Sequence, residues 1–376
     1  MGTSTAFQLA RRRFGKVILL ERDTVGAGPT SKSVGIIRQH YSYEPLIRLA
    51  LRSLELFTHF EDLTGGVADF SRAGFLLLAS APQLPGVEAN VQLQRGLGVR
   101  TSVLTPQQIL DLDSRLNLDG IAGAAFEPDS GYADGYATTR SFAEAARRLG
   151  VEIWETTAVQ HIVVETDRVR GVQTTRGFIE TPAVLVATGP WTPPLLKPLG
   201  VDVPIVSSRP QVVQLAPPPA FGRLQIVIED LAQGLFARPE AGGTVLAGVL
   251  EEEAEEIVEA DAFNQGVDFD YVERVGQMWA KRFPTAAEAE FRRGYASLYD
   301  ITPDWQPVLG PVDGIAGLYV AAGFSGHGFK LSPALGEVLA AVLAAETPQI
   351  DISIFHLGRF ATGALLRGRH PQGILG

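Results

Sequence analysis

The pattern of apolar and polar positions changes period along the chain. Near the start, Ala6, Leu9 and Ala10 share one face of a helical spacing that runs into Arg11 and Arg12 and stops at Gly15. Lys16-Val17-Ile18-Leu19-Leu20-Glu21-Arg22 then reads as a buried strand with an acidic end. From Glu44 to Phe60 the helical spacing returns through Leu46, Leu49, Ala50, Leu54 and Phe57. Phe75 to Ala79 is a predicted strand, and Thr105-Pro106-Gln107-Gln108 opens a short capped helix. Residues 80–104 show no strong period. A turn-rich stretch from Gly131 to Tyr136 leads into a predicted helix from Thr139 to Leu149. Short strands follow at 151–154 and 158–164, a strand pair at 168–174 and 177–180, and an apolar strand from Ala183 that ends at Gly189-Pro190-Trp191. Residues 204–250 alternate with period two, the mark of an antiparallel sheet, and Asp270 to Phe283 is an amphipathic helix.

The far end returns to the first style. Gly317 to Ala322 is a short buried strand, Gly323 to Pro333 a glycine-rich loop, and Ala334 to Ala344 a helical Ala/Leu run. Ser332 suits the cap of that helix and Pro333 its first position. A strand that feeds a helix through glycines offers free N–H groups and a positive dipole end to an anion. His327 and Lys330 add two polar side chains to the same loop. Near the start, a helix followed by a strand ending in Glu21 matches the second half of a dinucleotide-binding βαβ unit, in which the acid takes the ribose hydroxyls. Gly2 stands where the third fingerprint glycine would be, so the expectation is a sequence that begins one strand late. Alone, Glu21 is a strand-end charge and the strand at 183–187 a core strand. With the glycine-rich loop from Val25 to Ser33 beside them, a ligand site assembled from both chain ends accounts for the order, with a sheet domain inserted between.

Composition narrows the classes. Of 376 residues, 45% are hydrophobic and 20% charged, enough for a sizeable core. A net charge of −10 without a basic stripe argues against nucleic acid as a partner. The acidic run of Glu251, Glu252, Glu253, Glu255 and Glu256 suits a solvated helix start or loop. There is no cysteine, which excludes disulfides, cysteine metal sites and thiol catalysis. No apolar run reaches membrane-span length and no signal peptide is visible, so a cytoplasmic location is expected.

Several motifs in order carry a resemblance. They are Leu19-Leu20-Glu21-Arg22, Thr30-Ser31-Lys32-Ser33 with Ile36-Ile37-Arg38, Pro128-Asp129-Ser130-Gly131-Tyr132, Ala187-Thr188-Gly189-Pro190-Trp191, Tyr299-Asp300-Ile301-Thr302-Pro303-Asp304, and Gly323-Phe324-Ser325-Gly326-His327-Gly328-Phe329-Lys330. Over essentially its whole length the chain resembles the flavoprotein amine oxidoreductases of the D-amino-acid oxidase superfamily, in the branch of sarcosine oxidase (β-subunit type) and glycine oxidase. The resemblance implies an α/β plus α+β fold. A glutathione-reductase-like FAD-binding domain, its first strand missing, would comprise residues 1–72, 131–192 and 296–376. An antiparallel-sheet substrate domain would comprise 73–130 and 193–295.

The resemblance also implies roles. Glu21 would hold the adenosine ribose with Arg22 beside it, and Gly2, Ser31 and Lys32 would lie along the diphosphate. Val159 would face the adenine, with Thr188, Gly189 and Trp191 along the nucleotide. Gly326, His327, Gly328, Phe329 and Lys330 would run along the flavin. Arg38 and Lys330 would hold a substrate carboxylate, and His327 would either pack on the flavin or tune amine protonation. The implied reaction is oxidation of the C–N bond of a small secondary or N-methylated amino acid, with oxygen or another electron acceptor. An assembly with like or unlike subunits stays open by analogy. Two further features set expectations. Family members that attach flavin through cysteine do so where Ser297 stands, so FAD should be non-covalent. The lysine that activates oxygen in monomeric sarcosine oxidases has no counterpart from Gly242 to Val249, which favours a dehydrogenase or a different oxygen site. The alternatives are a truncated non-catalytic subunit without FAD and an FAD-dependent 2-hydroxy acid dehydrogenase.

Overall fold

The helical spacing near the start forms the helix Gly2–Arg11, which buries Ala6, Phe7 and Leu9. The computed structural model of the chain describes residues 1–250 and 256–366, so Glu251, Glu252, Glu253 and Glu255 of the acidic run lie outside the described residues. The apolar run after the first helix becomes the strand Ile18–Leu20, paired in parallel with Glu152–Trp154. A second parallel pair joins Val184–Val186 to Leu318–Ala322, and Val308–Pro311 adds an antiparallel neighbour. Among the described residues these two ladders do not pair with each other.

The first helix lies between two others. Phe7 meets Phe142 of the helix Gly135–Arg148 with ring centroids 5.6 Å apart. On its other side it packs against Gly328–Leu343, where the Ser4 hydroxyl donates to the Ser332 carbonyl at 2.8 Å. A Cβ at Gly336 would stand 2.0 Å from Ser4 Oγ, so only glycine permits this approach. Segments more than 300 residues apart in sequence are thereby locked side by side.

Three boundaries differ from expectation. The last long helix starts at Gly328 with His327 at its N-cap, not at Ser332 and Pro333. Pro333 lies inside it and cannot donate to the Phe329 carbonyl four residues back. The Ser332 hydroxyl supplies that bond at 2.8 Å, which is why the helix runs through the proline. Residues 84–96 form the helix Leu84–Gly96, whose inner face mixes Val87 and Val91 with buried Asn90 and Gln94, and those polar positions mask the period. The helix Gly135–Arg148 begins ahead of Thr139 because Asp134 caps it, its side chain accepting from Ala137 N at 2.7 Å.

The period-two segments form one eight-stranded sheet. Its order is Glu290–Ala296, Gln211–Ala216, Val245–Val249, Leu235–Pro239, Val227–Asp230, Phe75–Ala79, Gly123–Glu127 and Ser102–Leu104. Neighbours are antiparallel except at one place: Val227–Asp230 runs parallel to Phe75–Ala79. That pairing joins two distant segments, so no hairpin dictates its direction. One sheet face buries Ile228, Leu76 and Val213 against Trp279 and Val275 of the helix Phe269–Arg282. The opposite face carries Leu77, Val212, Val227 and Phe236 and packs on Ile36.

Near the end of the described chain, Arg359 grips Asp304 with Nε–Oδ2 at 2.8 Å and Nη2–Oδ1 at 2.9 Å, both side chains buried. Arg359 also donates to the Gln306 carbonyl at 2.8 Å and the Phe355 carbonyl at 2.9 Å. Arg359→Met leaves a buried carboxylate without its cation. Urea unfolding of this variant is expected to show a loss of about 3–5 kcal/mol; an unchanged midpoint would show that the pair does not anchor this segment.

Candidate active site

Two groups of side chains line one cavity of ≈ 1480 Å³. This exceeds the roughly 300–1,000 Å³ of ordinary small-molecule pockets, and leaves room for a dinucleotide with a small substrate. The first residues of the two packed helices both reach it: Met1, Gly2 and Thr3 from one, Gly326 to Lys330 from the other. Neither helix has a side-chain cap bond, so first-turn N–H groups remain for a ligand. Gly326 has φ +84°, and a Cβ there would lie 2.9 Å from the Tyr299 ring, so this turn needs glycine twice over.

The first group surrounds the end of Ile18–Leu20. Glu21 is half-buried, and burial raises its carboxylate pKa above the ordinary value. Its Oε1 accepts from Asp23 N at 2.9 Å. Arg22 lies over Trp191, with Cζ 4.1 Å from the ring centroid, and Asp261 accepts from both, at 2.8 Å from Arg22 and 2.9 Å from Trp191 Nε1. Val159, Thr188 and Gly189 line the same wall. Lys32 also lines the cavity and donates to Gln265 Oε1 at 2.7 Å. Ser31 does not line it; its hydroxyl turns back to the Gly28 carbonyl at 3.1 Å within its own turn.

The second group is a cluster of buried charge. Arg38 is 3% exposed; its Nη1 donates to the His40 carbonyl and its guanidinium lies 4.8 Å from the Tyr41 ring centroid. Arg38 Nε lies 3.4 Å from Glu229 Oε2. Lys330 is 9% exposed, and burial, reinforced by the Arg38 charge, pushes its ammonium down to about 7. His327 sits with its ring centroid 5.8 Å from that of Tyr41. Burial and then the charges of Lys330 and Arg38 hold it well below the ordinary histidine range, so the imidazole is neutral, and its Nδ1 is buried without a partner. Behind Arg38, Glu127 is pushed up to about 7 by burial although Ser130 Oγ and Gln39 N donate to it.

The structure thus brings Arg38, Lys330 and His327 together and places every expected site residue except Ser31 on the cavity wall. Sequence reading missed Glu229, and it quoted Asp300 within a motif without giving it a role. Asp300 is pushed up to about 6 by burial and accepts from Gly323 N at 2.7 Å, holding the turn ahead of the glycine loop. The signal for Glu229 was an acid next to the apolar run Ile226-Val227-Ile228. No cluster of potential metal ligands occurs among the described residues, and no helix there is long and apolar enough to cross a membrane.

The comparisons agree on the family. A family model described as FAD dependent oxidoreductase (DAO) matches residues 1–342. The chain belongs to this family. Its cofactor is therefore FAD, and the cavity fits it: a half-buried acid at a strand end, two uncapped helix starts, and a buried orphan nitrogen at His327. The chain is 28% identical over 367 residues to 4-methylaminobutanoate oxidase (formaldehyde-forming) of Paenarthrobacter nicotinovorans, covering 96% of this chain and 44% of that protein. It is 26% identical over 368 residues to mitochondrial dimethylglycine dehydrogenase of Rattus norvegicus, covering 94% and 43%. It thus spans less than half the length of these two relatives. Among solved structures, L-proline dehydrogenase from P. horikoshii matches with a TM-score of 0.88 at 25% identity, over 96% of this chain and 95% of that one.

The depressed Lys330 sets a direction for stability. Between about 7 and the ordinary value of 10.5, the unfolded lysine holds a proton that the folded one has released. Stability therefore rises with pH in that window, by up to about 1.4 kcal/mol per unit. Urea unfolding at pH 7.5 and 9.0 is expected to show this rise in the wild type relative to Lys330→Met. Parallel curves for the two proteins would mean that Lys330 titrates normally.

Proposed function

We propose that this protein oxidises the C–N bond of a small secondary or N-methylated amino acid of the sarcosine, dimethylglycine, glycine or proline kind. The observation that carries the reading is the pair of buried cations, Arg38 and Lys330, on the wall of the cavity that also holds Glu21 and the start of Gly328–Leu343. Non-covalently bound FAD supplies the acceptor for a hydride equivalent. Glu21 holds the ribose hydroxyls, with Arg22 and Trp191 beside the nucleotide. Gly2, Lys32, Val159, Thr188 and Gly189 complete that wall. The free N–H groups from Gly328 onward offset negative charge that develops on the cofactor.

Arg38 and Lys330 pin the substrate carboxylate and so present the amine-bearing carbon in one orientation. The gain is one of proximity. Lys330 binds best when protonated, and an arriving carboxylate favours that form. The neutral His327 packs at the cofactor rather than carrying charge. The apolar wall of Ile36, Val212, Phe236 and Val249 excludes water around the reacting carbon. Among the described residues, those within 1–72, 131–192 and 296–376 serve the cofactor, and those within 73–130 and 193–295 the substrate. No lysine occurs from Gly242 to Val249, of which Val249 reaches the cavity, so we favour an electron acceptor other than oxygen, or oxygen activated elsewhere. The names of the oxidase and dehydrogenase relatives above support an N-methylated amino acid as substrate.

The purified protein should show a flavin absorption spectrum, released on denaturation because no covalent link holds it. Anaerobic addition of sarcosine, dimethylglycine, proline or glycine should bleach it, and 2-hydroxyglutarate should not. A colourless protein that FAD cannot reconstitute, or bleaching by the hydroxy acid alone, would overturn the reading. Arg38→Met and Lys330→Met should each raise the amine concentration needed for half-maximal bleaching by about 10–100-fold, the worth of a charge-assisted hydrogen bond, while FAD stays bound. Unchanged bleaching in both would remove the carboxylate clamp.

A further inference from the structure

Glu229 is the unexplained group in this cavity. It lies on the strand Val227–Asp230, whose side chains alternate between the two sheet faces. Ile228 points into the core beneath the helix Phe269–Arg282, while Val227 and Leu231 belong to the opposite, apolar face. Glu229 shares that second face. Its direct neighbours across the ladders are Leu77 and Phe236, both apolar. An acid flanked by apolar partners and 5% exposed is costly unless something pairs with it.

Arg38 is a partial partner only. The contact from Arg38 Nε to Glu229 Oε2 is 3.4 Å long, and neither atom makes a hydrogen bond although both are buried. Neither of two other titratable neighbours donates to it: Glu127 accepts from Ser130 and Gln39, and the Tyr41 hydroxyl, over Arg38, is unpartnered. Lys330 feels the Glu229 charge but makes no recorded bond to it. The result is a carboxylate more than nine-tenths buried on the wall of the cavity, held by one long ion pair to Arg38.

We propose that Glu229 is a substrate-binding residue whose carboxylate, while its Oε2 faces Arg38, accepts an N–H of the substrate nitrogen. The inference rests on the amine oxidoreductase reading above and sharpens its substrate class. The wall then holds two cations and one anion, the complement of an amino acid zwitterion. The carboxylate goes to Lys330 and Arg38, and the nitrogen to Glu229. In the oxidation, the bound ammonium first releases one proton to solvent; the carbon of the resulting neutral amine then gives up a hydride, which FAD would accept, and the nitrogen lone pair closes the C=N bond, so the nitrogen keeps its remaining N–H as it becomes an iminium cation. Glu229 faces that growing positive charge with a fixed anion. Substrates that keep an N–H in their neutral, reactive form, namely primary and secondary amines, retain this bond through the reaction. Tertiary amines lose it.

The test compares an amine with its ether counterpart on the FAD-loaded protein, sarcosine with methoxyacetate, and 4-(methylamino)butanoate with 4-methoxybutanoate. The dissociation constant of each amine comes from the concentration dependence of anaerobic flavin bleaching, and that of each ether from its spectral titration. The wild type should bind the better amine at least about tenfold tighter than its ether, since hydrogen bonds to charged groups contribute about 1.5–3 kcal/mol. Glu229→Gln should abolish this preference and leave ether binding unchanged or tighter, because Arg38 then has no competing anion. Glu229→Asp, which keeps the charge and withdraws it, should fall between. Persistence of the preference in Glu229→Gln would overturn the proposal, as would equal weakening of amine and ether, the result expected of a mere counter-ion to Arg38. If no amine bleaches or binds the wild type, the functional reading and this inference fall together; if amines bleach it and the preference survives the substitution, only this inference falls.

Discussion

The structure depends on the close contact between its first and last long helices. Ser4 bonds to the Ser332 carbonyl, and the bare Cα of Gly336 lets the backbones meet. This contact aims two helix starts into one cavity from opposite ends of the chain. It also delivers Lys330 to the wall that holds Arg38, and it sets Gly326 against Tyr299. Bulk at Gly336 would push these elements apart, and both anion-seeking helix ends would lose their common target.

The second constraint is desolvation. Burial dominates the perturbed groups of the site: it lowers Lys330 and His327 and raises Glu127, Glu21 and Asp300. Each charge is costly where it stands, so each must be balanced by a neighbour or by a ligand. Asp300 is balanced locally by the Gly323 N–H. Arg38 and Glu229 face each other across one long ion pair, and Lys330 stands buried beside them. The proposed zwitterionic ligand would complete the balance of these charges.

Much of this was legible in the residues. The helices and strands near Ala6, Ile18, Leu46, Phe75 and Leu318 follow from spacing alone, and the motif around Gly323 to Lys330 pointed to the flavin family. Legibility failed where a polar residue occupied a buried position. Asn90 and Gln94 hid the helix Leu84–Gly96, and Glu229 was overlooked because it follows an apolar run that looks complete without it. Pro333 misled for a different reason. Its missing N–H is a local penalty that Ser332 repairs, and the repair depends on the rotamer of one hydroxyl.

The sequence by itself determined the order of most elements, the family and the identity of the charged residues, because periodicity and motif spacing are properties of the chain. Only the tertiary structure decided which of those charges share a low-dielectric cavity. Arg38, Glu229 and Lys330 lie far apart along the chain, and it is their common burial that turns two ordinary cations and one ordinary acid into a coupled set. It also decided the single parallel pairing within the large sheet, which no local pattern specifies and which sets Glu229 between Leu77 and Phe236, facing Arg38.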